Sequence, residues 1–340
     1  MAMKFTLFPQ MPVAPGKRAN PYVADFRAAL EAAGHTVVNP PHRNPLLSLL
    51  RRGNLGDVVV FNWFESIPEF RHGVIQSWVA VGLLLWLRLR GRRVVWMLHN
   101  KAPHAPRHPW LNRLLRGLIA RWSSLIVTHA RAGLDVVREH YPEALAKAHF
   151  LDHPTKNRLG LVPDGVAKDY DLLIWGHVAR YKGVFEFVDY LRAHPGTGLR
   201  TCIVGTCSPP SLFEELKAAC PPGVTAIHES PSFEALARYV ARAHFVLVPY
   251  HTESVLSSGI LMDSLSYGAA VIGPDAGSFD DYAAEPALRV CTFRTFDDIP
   301  ALVAAHRDAD ADRAATARFL DGHDWPHFVQ RLTALLSDKS

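Results

Sequence analysis

Short, unbroken apolar runs recur along this 340-residue chain, and longer stretches with helical spacing separate them. Residues 57–62 (DVVVFN), 93–98 (RVVWML) and 125–128 (LIVT) in the first half show no polar/apolar alternation, and neither do 171–175 (DLLIW), 200–204 (RTCIV) and 245–249 (FVLVP) in the second. A strand with one wet face alternates, whereas a continuous run is covered on both faces. Parallel strands joined by crossover helices meet that demand, so the fold class is α/β, with parallel sheets between helical layers. With 49% apolar and 20% charged residues the chain can build a large core, which excludes a disordered or low-complexity polypeptide.

Further strands are expected at 4–8, 148–151, 224–227 and 270–272, and helices at 21–33, 184–192, 212–219, 233–243, 258–267 and 325–336. The run at 4–8 is cut short by Pro9 and Pro12, so it reads as a buried first strand rather than a signal peptide. The polar segment 156–169, with its Pro and Gly, reads as a linker between two Rossmann-like domains, 1–155 and 170–322, and 323–340 forms a closing helix. Segment 74–89 (VIQSWVAVGLLLWLRL) is shorter than the ~20 residues of a spanning helix and contains Gln76 and Arg88. It reads as a helix buried on a sheet or as a face dipping into a bilayer, with Arg88, Arg90, Arg92 and Arg93 beside it.

Lys and Arg number 37 against 32 Asp and Glu, a net charge of +5. That balance is too mild for a dedicated nucleic-acid binder, but it suits a protein that handles phosphate groups or rests on an anionic membrane surface. Cys202, Cys207, Cys220 and Cys291 form no CxxC pair, so free thiols in a reducing cytoplasm are expected. The DxD spacing in 308–312 (DADAD) follows no apolar strand and reads as a solvated helix start, so no metal is expected. Residues 196–200 (GTGLR) lack the ending of a P-loop.

In doubly wound folds ligands sit beyond the carboxyl ends of the strands. Directly after DLLIW comes Gly176-His177-Val178-Ala179-Arg180-Tyr181-Lys182-Gly183. There glycine permits close backbone approach, and Arg180 and Lys182 suit a diphosphate as a bidentate fork and a point charge. After FVLVP come Tyr250 and then Ser257, Ser258 and Gly259 at a helix start, with Asp263 one turn on. A carboxylate at Asp263 suits a ribose or sugar hydroxyl. His228 ends the strand at 224–227, while Glu65 and His99 each follow a strand of the first half and are candidates for a general base.

Together, GHVARYKG and ESVLSSGILMDSLSYG resemble the donor half of GT-B glycosyltransferases of the family 4-like kind. Glu253 and Asp263 stand as the two acids of the later pattern, ten residues apart rather than the usual eight. Asn20-Pro21-Tyr22, Asn62-Trp63-Phe64-Glu65, the run from Leu98 to His104 and Gly322-His323-Asp324-Trp325-Pro326 extend the likeness over nearly the whole chain. This ordered series is similar to the family of the β-mannosyltransferases of bacterial xanthan assembly. Asn62, Phe64 and Ser257 depart from the family's usual residues, which alters the expected acceptor cleft.

The resemblance implies a GT-B fold, two Rossmann-like domains facing a central cleft, with a final helix crossing back to the first domain. It implies transfer of a sugar from a nucleotide sugar, mannose from GDP-mannose or another sugar from a UDP-sugar. The implied acceptor is a lipid-diphosphate-linked oligosaccharide at the cytoplasmic face of the inner membrane, with no cofactor beyond the co-substrate. Gly176, His177, Arg180, Lys182, His228, Tyr250, Ser257, Ser258, Gly259 and Asp263 would bind the donor, with Arg180 and Lys182 stabilising the departing diphosphate. Asn20, Trp63, Glu65, His99, Asn100 and His104 would bind the acceptor, with Glu65 or His99 as base if the transfer inverts configuration. A nucleotide-sugar epimerase or hydrolase, or a glycan-binding protein on the same scaffold, stands as the rival reading.

Overall fold

The computed structural model describes residues 2–12, 21–101, 107–252, 255–309 and 312–337. The chain divides into two compact units, Met1–His153 with Trp325–Ser340, and Pro154–Asp324. The first unit holds strands β1 (Lys4–Phe8), β2 (Thr36–Val37), β3 (Val58–Asn62), β4 (Arg93–Leu98), β5 (Leu125–Thr128) and β6 (Ala148–Phe150). Its sheet runs β2-β1-β3-β4-β5-β6, every pair parallel. Helices α1 (Tyr22–Ala32), α2 (Pro45–Leu49), α3 (Gly73–Leu89), α4 (Pro109–Trp122) and α5 (Ala132–His140) supply its crossovers.

The second unit holds β7 (Tyr170–Trp175), β8 (Thr201–Gly205), β9 (Val224–His228), β10 (Ala243–Leu247), β11 (Ala270–Pro274) and β12 (Val290–Phe293). Between and after them lie α6 (Val184–Ala193), α7 (Ser211–Ala219), α8 (Phe233–Ala241), α9 (Gly259–Leu265), α10 (Ser278–Ala283), α11 (Asp298–His306) and α12 (Arg313–Gly322). The order β12-β11-β10-β7-β8-β9 is again all parallel. The chain leaves β7 toward β8 and β9, then returns to the other side of β7 with β10, so the strand order reverses between β7 and β10. In the first unit the same reversal falls between β1 and β3. Both sheets match the doubly wound reading.

Two strands had no legible pattern. β2 is two residues long, and β12 is an edge strand whose Cys291 and Thr292 are only half-buried. The last helix, α13 (Trp325–Ser337), packs on α1 in the first unit. Phe26 of α1 is fully buried, stacked on Trp325 at 5.8 Å and edge-on to Phe328 at 5.4 Å between ring centroids. Arg331 bonds Asp152 at 2.7 Å, and Arg93 donates to the Leu336 carbonyl at 3.0 Å. Gly34, at φ +81, ends α1 as its position in the sequence demands.

The expected linker is instead built into the second unit. Leu159 is buried in its core, and the guanidinium of Arg158, 8% exposed, bonds Asp263 at 3.1 Å and Ser266 at 2.8 Å. A polar composition read as a linker is thus consumed by a buried ion pair, because a desolvated guanidinium requires a carboxylate. Asp312 caps α12 by accepting the Ala315 N–H at 2.8 Å, the helix start read from its sequence. Asp310 lies outside the described residues.

Trp325→Ala removes the ring that closes on Tyr22 and Phe26, so it should cost about 3–5 kcal/mol of stability. Urea unfolding followed by far-UV circular dichroism measures it. A loss below about 1 kcal/mol would mean that α13 is not integral to the first unit.

Candidate functional site

In the second unit the reversal between β7 and β10 opens a crevice beyond the strand ends. Residues 176–183 leave β7 there and 248–258 leave β10. Gly176 has φ +104 and Gly183 φ +71. A Cβ on Gly183 would stand 1.8 Å from the Pro249 carbonyl oxygen, so only glycine lets the two loops touch. A Cβ on Gly205 of β8 would stand 1.9 Å from the Gly176 carbonyl oxygen, closing the turn from the other side.

That packing half-buries Lys182, whose ammonium lies 5.6 Å from the centre of the Tyr250 ring. Burial pushes its pKa down to about 8. Arg180 is exposed and donates to both oxygens of Glu215 on α7 at 2.6 Å. Both partners are more than half exposed, and such a pair is worth about 0–1 kcal/mol, so an incoming diphosphate can replace Glu215. His177 is exposed; partial desolvation, and then the Lys182 charge, lower its pKa. The Tyr250 hydroxyl is held neutral by burial, which raises its pKa.

Ser258 is buried and its Oγ accepts the Leu261 N–H at 3.2 Å, capping α9, with half-buried Ser257 before it and exposed Gly259 after it. Asp263, expected at a sugar or ribose hydroxyl, accepts from Arg158 Nη1 at 3.1 Å through Oδ1, which ties residues 154–161 to α9. His228 lies on β9, two strands or about 10 Å from β7. It stacks on Phe213 at 4.4 Å and its Nε2 accepts the Cys207 N–H at 3.4 Å. Glu253 lies outside the described residues.

In the first unit, side chains after β3, β4 and β5 form a second cluster. Asn62 is fully buried; its Nδ2 donates to the Phe8 carbonyl at 2.9 Å, which leaves Oδ1 to accept from His99 Nε2 at 3.0 Å. His99 therefore carries its proton on Nε2. Asn62, at the end of β3, thus ties the end of β1 to His99 after β4. Trp63 has φ +49, a left-handed backbone that costs about 1–2 kcal/mol, and stacks on His99 at 4.5 Å.

His129 follows β5. Its Nδ1 donates to the Leu151 carbonyl at 2.8 Å, so Nε2 accepts from the Tyr22 hydroxyl at 2.7 Å. His153 stands 4.9 Å from His129 between ring centroids. Burial, then the neighbouring His153, drive His99 down to about 3, and burial with His153 and His99 drives His129 well below its usual value. Both rings stay neutral at physiological pH. A general base works best when it titrates near working pH, and burial holds His99 well below that range.

Glu65 is a correction. It is 1% exposed inside the unit, where Trp96 Nε1 donates to Oε2 at 3.3 Å and Asn112 Nδ2 donates to its carbonyl at 2.7 Å. Burial raises its pKa against the opposing pull of Arg116, and Oε1 has no hydrogen-bond partner. A carboxyl enclosed there does not reach an acceptor hydroxyl. Asn100 is half-buried, its carbonyl 3.4 Å from Arg116 Nη2. Asn20 and His104 lie outside the described residues. Tyr22, His129 and His153 were missed as site residues, although His129 follows LIVT just as His99 follows RVVWML.

Among the described residues no group of three or more His, Cys, Asp or Glu is placed to hold a metal ion. No family model matches the chain. It is 30% identical over 269 residues to a GDP-mannose:glycolipid 4-beta-D-mannosyltransferase of Xanthomonas campestris pv. campestris, covering 76% of this chain and 71% of that one. Among solved structures it is similar to Anabaena HepE in complex with UDP-glucose, with a TM-score of 0.67 at 13% identity over 99% of this chain and 100% of that one. It is also similar to the catalytic domain of Starch Synthase IV from Arabidopsis thaliana bound to ADP and acarbose, at 0.65 and 12% identity over 100% and 99%. These two likenesses establish the GT-B fold.

Gly183→Ala should cost about 1–3 kcal/mol and abolish nucleotide-diphosphate binding, read by thermal melting with and without nucleotide. A variant that melts and binds as the wild type would contradict the loop contact. Only protonated Lys182 offers a charge, so affinity for a nucleoside diphosphate should be full below about pH 7 and fall about tenfold by pH 9. Calorimetric titration across that range checks it, and Lys182→Arg, which stays protonated, should flatten the profile.

Proposed function

The chain belongs to the glycosyltransferase family of the GDP-mannose:glycolipid 4-beta-D-mannosyltransferases, and from that premise we propose that it moves mannose from GDP-mannose to a glycolipid acceptor. The acceptor is a lipid-diphosphate-linked oligosaccharide of a bacterial surface glycan, met at the cytoplasmic face of the inner membrane. One observation carries the donor half of this reading: the glycine-bounded turn 176–183 stands at the strand-order reversal of the second sheet, with Lys182 half-buried in it.

In the transfer an acceptor hydroxyl oxygen forms the new bond to the anomeric carbon, and the bond from that carbon to the diphosphate oxygen breaks. The electron pair leaves with the nucleoside diphosphate, which gains negative charge as it departs. Lys182 meets that charge from a partly desolvated position, where a charge acts more strongly than in water. Arg180 adds a bidentate contact once it releases Glu215. In the first unit the half-buried Trp63 ring, stacked on neutral His99, offers an aromatic face suited to a sugar. The proton released from the acceptor hydroxyl passes to water or to the departing diphosphate.

A thermal-shift screen against GDP, UDP, ADP and dTDP tests the donor. The preferred nucleotide at about 100 times its dissociation constant should add about 2.7 kcal/mol of stability. GDP should give the largest shift, and Lys182→Ala should remove it and lower mannosyl transfer to a glycolipid extract about 10²–10³-fold. A dominant response to UDP would replace the donor. Hydrolysis of GDP-mannose with no glycolipid product would replace the reaction class.

A further inference from the structure

The second unit is anionic, with 15 Lys and Arg against 22 Asp and Glu, whereas residues 70–134 of the first unit hold eleven Lys and Arg and not one Asp or Glu. One place in the second unit reverses that balance. A partly enclosed cavity of about 90 Å³ lies where β7, β10, β11 and β12 begin, and Lys168, His244 and Arg289 are among its lining residues. Among the described residues no Asp or Glu lines it. Lys168 stands just before β7, His244 is the second residue of β10 and Arg289 immediately precedes β12, so the parallel strands gather three basic groups that are far apart in the sequence.

Ligands of doubly wound sheets sit beyond the carboxyl ends of the strands. This cavity lies at the amino ends, and β10, five residues at about 3.3 Å each, sets it roughly 16 Å from the crevice at the other end. The cavity shares no lining residue with the loops 176–183 and 248–258. Its volume admits several waters or one tetrahedral oxyanion, and falls well below the about 300 Å³ at which sites for larger organic ligands begin.

The acids beside the cavity are engaged by other cations. Asp169 pairs with Arg242, and Asp171 pairs with Arg307 and, at 3.5 Å, with Arg200. Lys168 Nζ donates to the Ala243 carbonyl at 2.8 Å, and Arg289 Nη2 donates to the His306 carbonyl at 3.1 Å. A carbonyl accepts a hydrogen bond without cancelling the charge of the donor. Partial desolvation and then the Arg289 charge lower the pKa of Lys168; desolvation, then the Arg307 and Lys168 charges, lower that of His244. These cations therefore repel one another beside an apolar wall that includes Val162, Val240 and Phe245. An anion placed between them meets less screening than in water and relieves the repulsion.

We propose that this cavity is a second anion site, which takes a small tetrahedral oxyanion of the phosphate kind. Arg289 offers its oxygens a planar fork and Lys168 a point charge, both as charge-assisted hydrogen bonds, with His244 beside them.

Calorimetric titration of the full chain with inorganic phosphate, against sodium chloride of matched ionic strength, tests it. One phosphate should bind with a dissociation constant on the order of 1 mM or below. Lys168→Gln and Arg289→Gln should each weaken it at least about tenfold while leaving the affinity for a nucleoside diphosphate unchanged. Lys168→Arg, which keeps the charge, should retain phosphate. Lys182→Ala should retain it too, because the turn 176–183 lies at the opposite strand ends. In that Lys182→Ala chain, phenyl phosphate, whose ring exceeds the cavity, should bind at least about tenfold more weakly than inorganic phosphate. Equal binding of the two would overturn the enclosed site in favour of an open surface that takes phosphate esters. Heat no larger than that of the chloride control would also overturn the proposal, as would phosphate binding that Lys182→Ala abolishes and Lys168→Gln does not.

Discussion

The second unit depends on the missing side chain at position 183. Two loops from adjacent parallel strands must meet where the strand order reverses, and the Pro249 carbonyl occupies the place a Cβ would take. The contact brings the turn 176–183 down onto the end of β10, and desolvation of Lys182 follows from it. A lysine on an open loop would keep its ordinary pKa and its hydration. Here the ammonium has shed part of its hydration before any ligand arrives, so an anion gains more from meeting it.

The first unit applies burial to the opposite end. His99 and His129 are neutral because they are enclosed, and their protons are placed by acceptors that have no choice: the Phe8 carbonyl sets Asn62, Asn62 sets His99, and the Leu151 carbonyl sets His129. Rings so held are rigid hydrogen-bonding surfaces rather than proton carriers. The enclosure of Glu65 beside Arg116 and Trp96 shows the same preference for structure over proton transfer. The first unit therefore holds an enclosed, neutral cluster, and the second a partly desolvated charge.

The net charge of the chain conceals a segregation. The cationic stretch 70–134 lies in the first unit, yet the site cluster there is neutral, so that unit's positive charge is displayed on its α3–α4 side. The second unit, with 15 Lys and Arg against 22 Asp and Glu, is anionic, yet keeps Arg180 and Lys182 at its switch point.

By itself the sequence determined the parallel α/β class, two sheets, most buried strands, and the turn with Arg180 and Lys182. Each of these follows from local pattern: unbroken apolar runs require two covered faces, and glycine with basic residues after a strand marks a phosphate turn. The tertiary structure alone decided what individual polar side chains do. Glu65 and Asp263 read as ligand contacts and Asn62 as a change in the acceptor cleft, because the first follows a strand, the second lies one turn into a helix and the third stands in a family motif. Their partners, Trp96 and Arg116, Phe8 and His99, and Arg158, are between 31 and 105 residues away. Burial and pairing over such separations are properties of the packed chain, and no local spacing encodes them. β2 and β12 escaped notice for a related reason: a two-residue strand and a half-buried edge take their form from the neighbours they pair with.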